Sequence, residues 1–402
     1  MRSLPRLAVL AAAMAGAVPA GAADAPLDRG AALALPSVYR VQARYEMDGL
    51  RVGGTGRVIP LQEGARFVEE MGTAFAVSQD GYLVTAAHVA APDGATLARY
   101  AAPAALAARF GGRAPVDQAY VTEWVTLNDV RPVNPRLTEL RVVQATPDGR
   151  SRPVSWRAAI VPGGRSAVDD LVLLRIPAHG VPALDLDESM TTGTPVSTIG
   201  FGTRDPFAVT GTGPAIPRIR PGTLGATGRV PTVPGQRFTV VTAAVEQGDS
   251  GGPAVDAAGR VHGVVRWRYQ GQGVLVRAVR VRKLLERAGV TTAPGPSAAA
   301  FRSGLERLWQ ADLRGAAGDL RAAREAYPDH ALAGAELTRV DRLEADGPAV
   351  RSRGWGRDLG LALASAFLLG AVACLAGAFP RRLRRIPGGG AERGLHASRG
   401  RR

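Results

Sequence analysis

The chain has 402 residues and a formal net charge of +15, about half of it contributed by the segment 380–402, which holds eight arginines and one glutamate. Nucleic-acid binding would call for a clustered basic stripe, and none is present; a single lysine, Lys283, beside 49 arginines points to the codon composition of a high-GC bacterium. The one cysteine, Cys374, sits in an apolar run near the C-terminus, so residues 30–290 have no disulfides and must be held by a hydrophobic core, for which they are long enough.

Taken in chain order, residues 1–23 carry Arg2 and Arg6, the apolar run "LAVLAAAMAGAV" and then "AGA". That is the pattern of a secretory signal peptide, cleaved after Ala22 or Ala23. Up to residue 290 the chain reads as mainly β. Short segments rich in β-branched and aromatic residues, such as "RFVEEMGTAFAVS", "GYLVTAAHV", "LVLLRI" and "RVHGVVRWRY", are punctuated by Gly, Pro and Asp-Gly, as in barrels and sandwiches. Residues 92–118 interrupt the pattern with an alanine-rich insertion expected to be helical. The composition of 291–300, "TTAPGPSAAA", predicts a linker.

Over 301–346 the spacing becomes helical, with breaks near Asp312 and Tyr327, and the order Gly304, Ala316, Leu320, Ala323, Pro328 resembles one tetratricopeptide repeat. This predicts a small helical hairpin module, read as a stalk or as a docking unit for a protein partner. A segment without charge then follows at 359–379, long enough to cross a bilayer as a transmembrane helix over 358–379. The arginine-rich tail, 380–402, places the C-terminus in the cytoplasm and everything before the span outside it. The expectation is a single-pass bacterial membrane protein with an extracytoplasmic ectodomain.

Chemistry concentrates at "QGDSGGPAV", residues 247–255. Glycines at that density are tolerated where a backbone turns sharply or approaches a ligand, and a serine held there can be a nucleophile. It would need a base. Of the five histidines, His396 lies in the tail, His330 in the helical module, His179 in a loop and His262 at a strand start just after the serine. His88 closes the apolar strand "GYLVTAAHVA", where its ring can be offered at a barrel end. A carboxylate to orient the imidazole is available in "VDDLVLLRIP" from Asp170, directly before a buried strand, or from its neighbour Asp169.

"TAAH" at 85–88, "DLVLLRI" at 170–176 and "GDSGGP" at 248–253 together resemble the three signature blocks of the chymotrypsin-like serine proteases. The hairpin "GTAFAVSQDGYLVTAAHV", the approach "TAAVEQGDSGGP" and the closing "GQGVLVRAVRVRKLLERAG" are similar to the bacterial Deg-type branch. The resemblance covers 35–290, within a domain placed at 30–290, and implies a double β-barrel. It implies Ser250 as nucleophile, His88 as general acid and base, Asp170 as the orienting carboxylate, and the backbone N–H groups of Gly248 and Ser250 as the oxyanion hole. Protein or peptide substrates would be cleaved through an acyl-enzyme, with neither metal nor organic cofactor. The helical module and the expected span stand where the Deg-type branch has its peptide-binding domain, so the resemblance does not by itself imply cage-like assembly or a folding-quality role.

Residues 242–247 would line one side of the primary pocket. Ala243, Ala244 and Val245 offer no acid at its base, which argues against a preference for Arg or Lys and leaves small apolar residues as the expected choice; Ala244, Val245 and Gln247 are the expected substrate contacts, and Glu246 is the one acid there. Arg266, Trp267 and Arg268 would lie on the strand that pairs with substrate, with the two arginines on one face by alternation and open to acidic groups or to solvent. Asp249, where relatives often have Asn, calls for a cation. Either an internal arginine or an amino terminus freed by cleavage after Arg51, in "LRVGG", would serve. The alternatives to a constitutive protease are a latent one, or a catalytically silent adaptor working through the helical module.

Overall fold

The computed structural model describes residues 24–109, 117–146, 153–202, 215–229, 237–269 and 272–345. Helix α1 (Asp24–Ala34) leads into β1 (Val38–Glu46), β2 (Gly49–Arg51), β3 (Val58–Pro60), β4 (Phe67–Ser78) and β5 (Tyr82–Ala86). The short α2 (Ala87–Ala90) carries His88 and is followed by α3 (Gly94–Arg109) and α4 (Gln118–Leu127), so the alanine-rich insertion is helical where it is described. Next come β6 (Arg131–Val133), β7 (Arg136–Gln144), β8 (Ser155–Arg157), β9 (Ala159–Ser166) and β10 (Leu171–Arg175). The second half contributes β11 (Pro195–Gly200), β12 (Arg218–Arg229), β13 (Arg237–Val241), β14 (Pro253–Val255), β15 (Val261–Tyr269), β16 (Gln272–Arg277) and α5 (Ala278–Arg287).

The strands form two main sheets. The first is a seven-stranded half-barrel in the order β8-β7-β1-β4-β5-β10-β9, and the second is a closed barrel in the order β11-β12-β13-β16-β15-β14. A small sheet β3-β2-β6 stands beside them. The chain is thus mainly β with two barrel lobes, consistent with the expected double β-barrel, although the first lobe is open among the described strands.

Strand β10 shows why two lobes cohere. "LVLLR" does not alternate, because both of its faces are buried: Val172 and Leu174 enter the first lobe's core with Val41 and Leu83, while Leu171 and Leu173 enter a second core shared with Ile199, Phe238 and Val264 of the closed barrel. A strand covered on both sides reads as a continuous apolar run. Each such leucine contributes about 1.5–3 kcal/mol by leaving water.

Helices α6 (Gly295–Trp309), α7 (Leu313–Ala326) and α8 (Ala331–Ala345) form the helical module around Phe301, Leu305, Ala316, Leu320 and Val340. Asp312 caps α7 by accepting the Gly315 amide at 3.0 Å. Two differences from the sequence expectation emerge. The segment expected as a linker becomes helical from Gly295. The module is also packed on both lobes, with Tyr327 3% exposed inside the first lobe's core and Arg302 donating at 2.8 Å to the carbonyl of Ala258, between β14 and β15 of the closed barrel. Periodicity locates the helices but carries no signal for where they dock. Among the described residues no helix is long and apolar enough to cross a membrane. The expected signal peptide, 1–23, the span at 358–379 and the tail at 380–402 lie outside the described residues.

Candidate active site

Strand β5 pairs with β10 in antiparallel register, Ala86 opposite Leu171, which brings the residues just beyond their ends together. Asp170 sits in the left-handed region with φ 56°, a conformation Asp tolerates better than bulkier residues, and its carbonyl accepts the Ala87 amide at 2.9 Å. In this pose its carboxylate meets His88 twice: the His88 amide donates to Oδ1 at 2.9 Å and the ring Nδ1 donates to Oδ2 at 2.7 Å. Asp169 is held elsewhere, accepting the Ser166 hydroxyl at 2.7 Å. Burial pushes the Asp170 carboxyl up, but the hydrogen bond and charge of His88 and the charge of Arg266 outweigh it and hold Asp170 below its ordinary value.

Ser250 lies on a tight turn pinned from both lobes. Gly248 and Gly251 adopt φ 97° and 89°, and a Cβ on either would strike neighbouring backbone, the Phe201 carbonyl at Gly248 and the Thr73 carbonyl at Gly251. Thr73 of β4 ties the turn down: its amide donates to the Ser250 carbonyl at 2.8 Å and its hydroxyl to the Gly248 carbonyl at 2.8 Å, while that hydroxyl accepts the Phe201 amide at 3.1 Å. From the closed barrel, the Gly251 amide donates to the Val265 carbonyl at 2.7 Å. The amides of Gly248 and Ser250 donate to no carbonyl or side chain among the described residues, which leaves both available to an incoming oxyanion. The Ser250 hydroxyl donates to the Arg266 carbonyl at 2.9 Å rather than to His88.

Asp249 has an internal partner. Arg220 of β12 donates to its two oxygens at 2.9 and 2.7 Å, and the amides of Gly202 and Glu246 add bonds of 2.7 Å each. The other arm of Arg220 binds Glu246 at 2.6 Å, so the one acid near the expected pocket is engaged by a cation. Burial raises the Asp249 carboxyl, with Arg220 and the two amides acting against it. Arg51 lies within β2, paired on both sides by β3 and β6.

The remaining expected site residues are spread out. Val245 turns into the closed barrel, 2% exposed beside Leu224 and Val241, because the chain alternates there and Ala244 takes the surface. Gln247 is exposed, Trp267 packs on Phe238 at 5.2 Å between ring centroids, and Arg268 is exposed. Arg266 does not lie on an open edge: its Nε donates to Asp170 Oδ2 at 3.0 Å.

Sequence reasoning passed over Arg220, Thr73 and Glu70. Arg220 and Thr73 carry no motif and act through strand register. Glu70, two residues before Gly72 on β4, is influenced by the charge of His88, and burial pushes its carboxyl up to about 7. Tyr100 of α3 brings its hydroxyl to 3.5 Å from the His88 carbonyl, so the insertion walls one side of the histidine. Elsewhere, Asp187, Asp256 and His262 bring possible metal-ligand atoms within 4.8 Å of one another. Arg260 already bridges the two carboxylates, at 2.8 Å from Asp187 and 2.7 Å from Asp256.

Residues 72–264 match the family model of the trypsin-like peptidase domain, which spans the His88, Asp170 and Ser250 positions and supports placing this segment in the chymotrypsin/trypsin-like superfamily. No curated protein matches the chain.

Proposed function

We propose that the chain is a membrane-anchored serine endopeptidase working outside the cytoplasmic membrane. The observation that carries the reading is the His88–Asp170 pair, bonded at 2.7 Å, linked through Arg266, whose side chain bonds Asp170 and whose carbonyl accepts the Ser250 hydroxyl, to a serine turn with two unengaged amides. In that chemistry His88 Nε2 takes the Ser250 proton as Oγ attacks the substrate carbonyl. The same proton passes to the leaving amine as the C–N bond breaks, and water then attacks the ester by the reverse roles. Asp170 keeps the proton on Nδ1 so that Nε2 can act as base. The amides of Gly248 and Ser250 stabilise the oxyanion, each such donor contributing about 3 kcal/mol. The internal Arg220–Asp249 pair supports activity without a freed amino terminus. Signal, span and basic tail support the anchoring.

A second reading, latency, is favoured by the Ser250 hydroxyl bonded to the Arg266 carbonyl. The test is labelling of the full chain in membranes with a fluorophosphonate, beside Ser250→Ala and His88→Ala. Labelling of wild type that is lost in both variants is the expected result. A folded wild type that never labels, with or without peptide added, would sink the protease reading; labelling on peptide addition alone would select latency. Anchoring is checked separately by whether a C-terminal tag on intact spheroplasts is protected from added protease.

A further inference from the structure

We propose that Arg266 is a positioning residue that tunes the protonation of His88, through the Asp170 oxygen the two side chains share. Alternation along β15 would leave Arg266 at an open edge, but the register shifts between Val265 and Trp267, and this irregularity turns the side chain inward. It is 12% exposed. Its guanidinium lies over the Trp267 and Phe238 rings at 4.1 and 5.0 Å from their centroids. With Nε committed to Asp170 and the guanidinium packed on two aromatic rings, the group is set toward the His88–Asp170 pair.

His88 Nδ1 and Arg266 Nε bond the same atom, Asp170 Oδ2, at 2.7 and 3.0 Å. When His88 takes a proton, a second cation forms within about 6 Å of the first, across one carboxylate oxygen, and like charges at that range disfavour the charged form. Arg266 therefore sets a fixed positive charge, across the shared oxygen, against the one that forms on the imidazole when it takes the Ser250 proton. The other titratable and charged groups on the elements packed about the pair are Glu70 from β4, Tyr45 from β1, whose hydroxyl donates to the Ala90 carbonyl of α2, Arg165 from β9, Asp93, Arg99 and Tyr100 at the start of and within α3, and Asp169 beside Asp170. Glu70 itself titrates near neutrality, so it must be separated from Arg266 experimentally.

This inference rests on His88 being the general base, and the test keeps the two apart. The second-order rate of fluorophosphonate labelling of the full chain is followed against pH for wild type, Arg266→Gln, Arg266→Lys and Glu70→Gln. The expected result is an acid limb moved up by roughly one pH unit in Arg266→Gln, retained in Arg266→Lys, and moved down in Glu70→Gln. An unmoved limb in Arg266→Gln, or equal movement in Arg266→Lys, overturns the proposal. In parallel, the ring of His88 is titrated by NMR in histidine-labelled Ser250→Ala chain with and without Arg266→Gln. This reads the same shift without activity, so a wild type that fails to label would sink the protease reading while leaving Arg266 testable. Should Arg266→Gln fail to fold, Arg266→Met keeps the stem packed on Phe238 and Trp267 and takes its place in both measurements.

Discussion

Two aspartates flank the Ser250 turn, and each is bonded to an arginine from the closed barrel, yet they are arranged for different ends. Asp249 is 1% exposed, and its two oxygens are taken by Arg220 and by the amides of Gly202 and Glu246. Asp170 gives one oxygen to the His88 amide and the other to the His88 ring and Arg266 together. Nothing at Asp249 changes when a proton moves at His88. At Asp170, one of the two donors on a single atom is an imidazole, which changes charge whenever it takes a proton. The same pair of residue types is a clamp where the acceptor is saturated and an adjustable element where it is shared.

The sharpest way to break this contrast is Asp170→Asn. The amide would favour the wrong imidazole tautomer, and labelling of Ser250 should fall by about 10⁴ while stability changes less than in the Arg220 variant. Arg220→Ala should act on both quantities. It leaves Asp249 buried without its cation, lowering stability by roughly 3–5 kcal/mol in denaturant titrations. It also loosens the turn that presents Gly248, slowing labelling by about 10²–10³. Replacing both partners, Arg220→Met with Asp249→Asn, should recover much of the stability and little of the labelling. If labelling returns as well, the clamp has no part in aligning the amides.

A smaller effect is expected from Thr73→Val, which leaves the buried Phe201 amide without its acceptor and the Gly248 carbonyl without its donor, for a loss of about 1–3 kcal/mol. The smallest lies in the pH dependence of melting, away from the site. Burial pushes Asp256 up, but His262 and Arg260 bring it down to about 2 from 3.8. Its contribution to stability is thus present above pH 3.8 and lost as pH falls toward 2. Burial pulls His262 down, and its bonds to Asp256 and the Ser189 carbonyl raise it above 6.5 overall, so its contribution is present below pH 6.5 and lost as pH rises beyond it. Melting curves of Asp256→Asn should flatten the acid limb, and those of His262→Gln the other.

Some of this was legible in the sequence. Ser250 among its glycines, His88 after a buried strand and Asp170 before another are each marked by local chain chemistry, so their order alone predicts the site. The doubly buried β10 is marked too, as an unbroken apolar run. Arg220 and Arg266 are not, because nothing near either residue says which carboxylate it will meet. For Arg220 that depends on the β11–β12 register, and for Arg266 on a register shift within β15. Val245 was misleading for a related reason: a residue beside the nucleophile turn is placed by barrel alternation, which overrode its nearness to the serine. The docking of Tyr327 into the first lobe is likewise a matter of surfaces meeting across more than 250 residues of chain from Tyr39, in the same core.

Thr73 belongs to the first lobe, while the turn it fastens carries Ser250, ahead of the strands β14 and β15 of the second. Any breathing that parts the lobes must release that turn at the same moment, so the chain cannot open there and keep its amides aligned. Hydrogen exchange offers a clock for this: the Thr73 and Phe201 amides, one in each lobe, should exchange together at the rate of lobe separation. A substrate bridging both lobes would slow that clock, and the seam between them would register occupancy before any bond is cut.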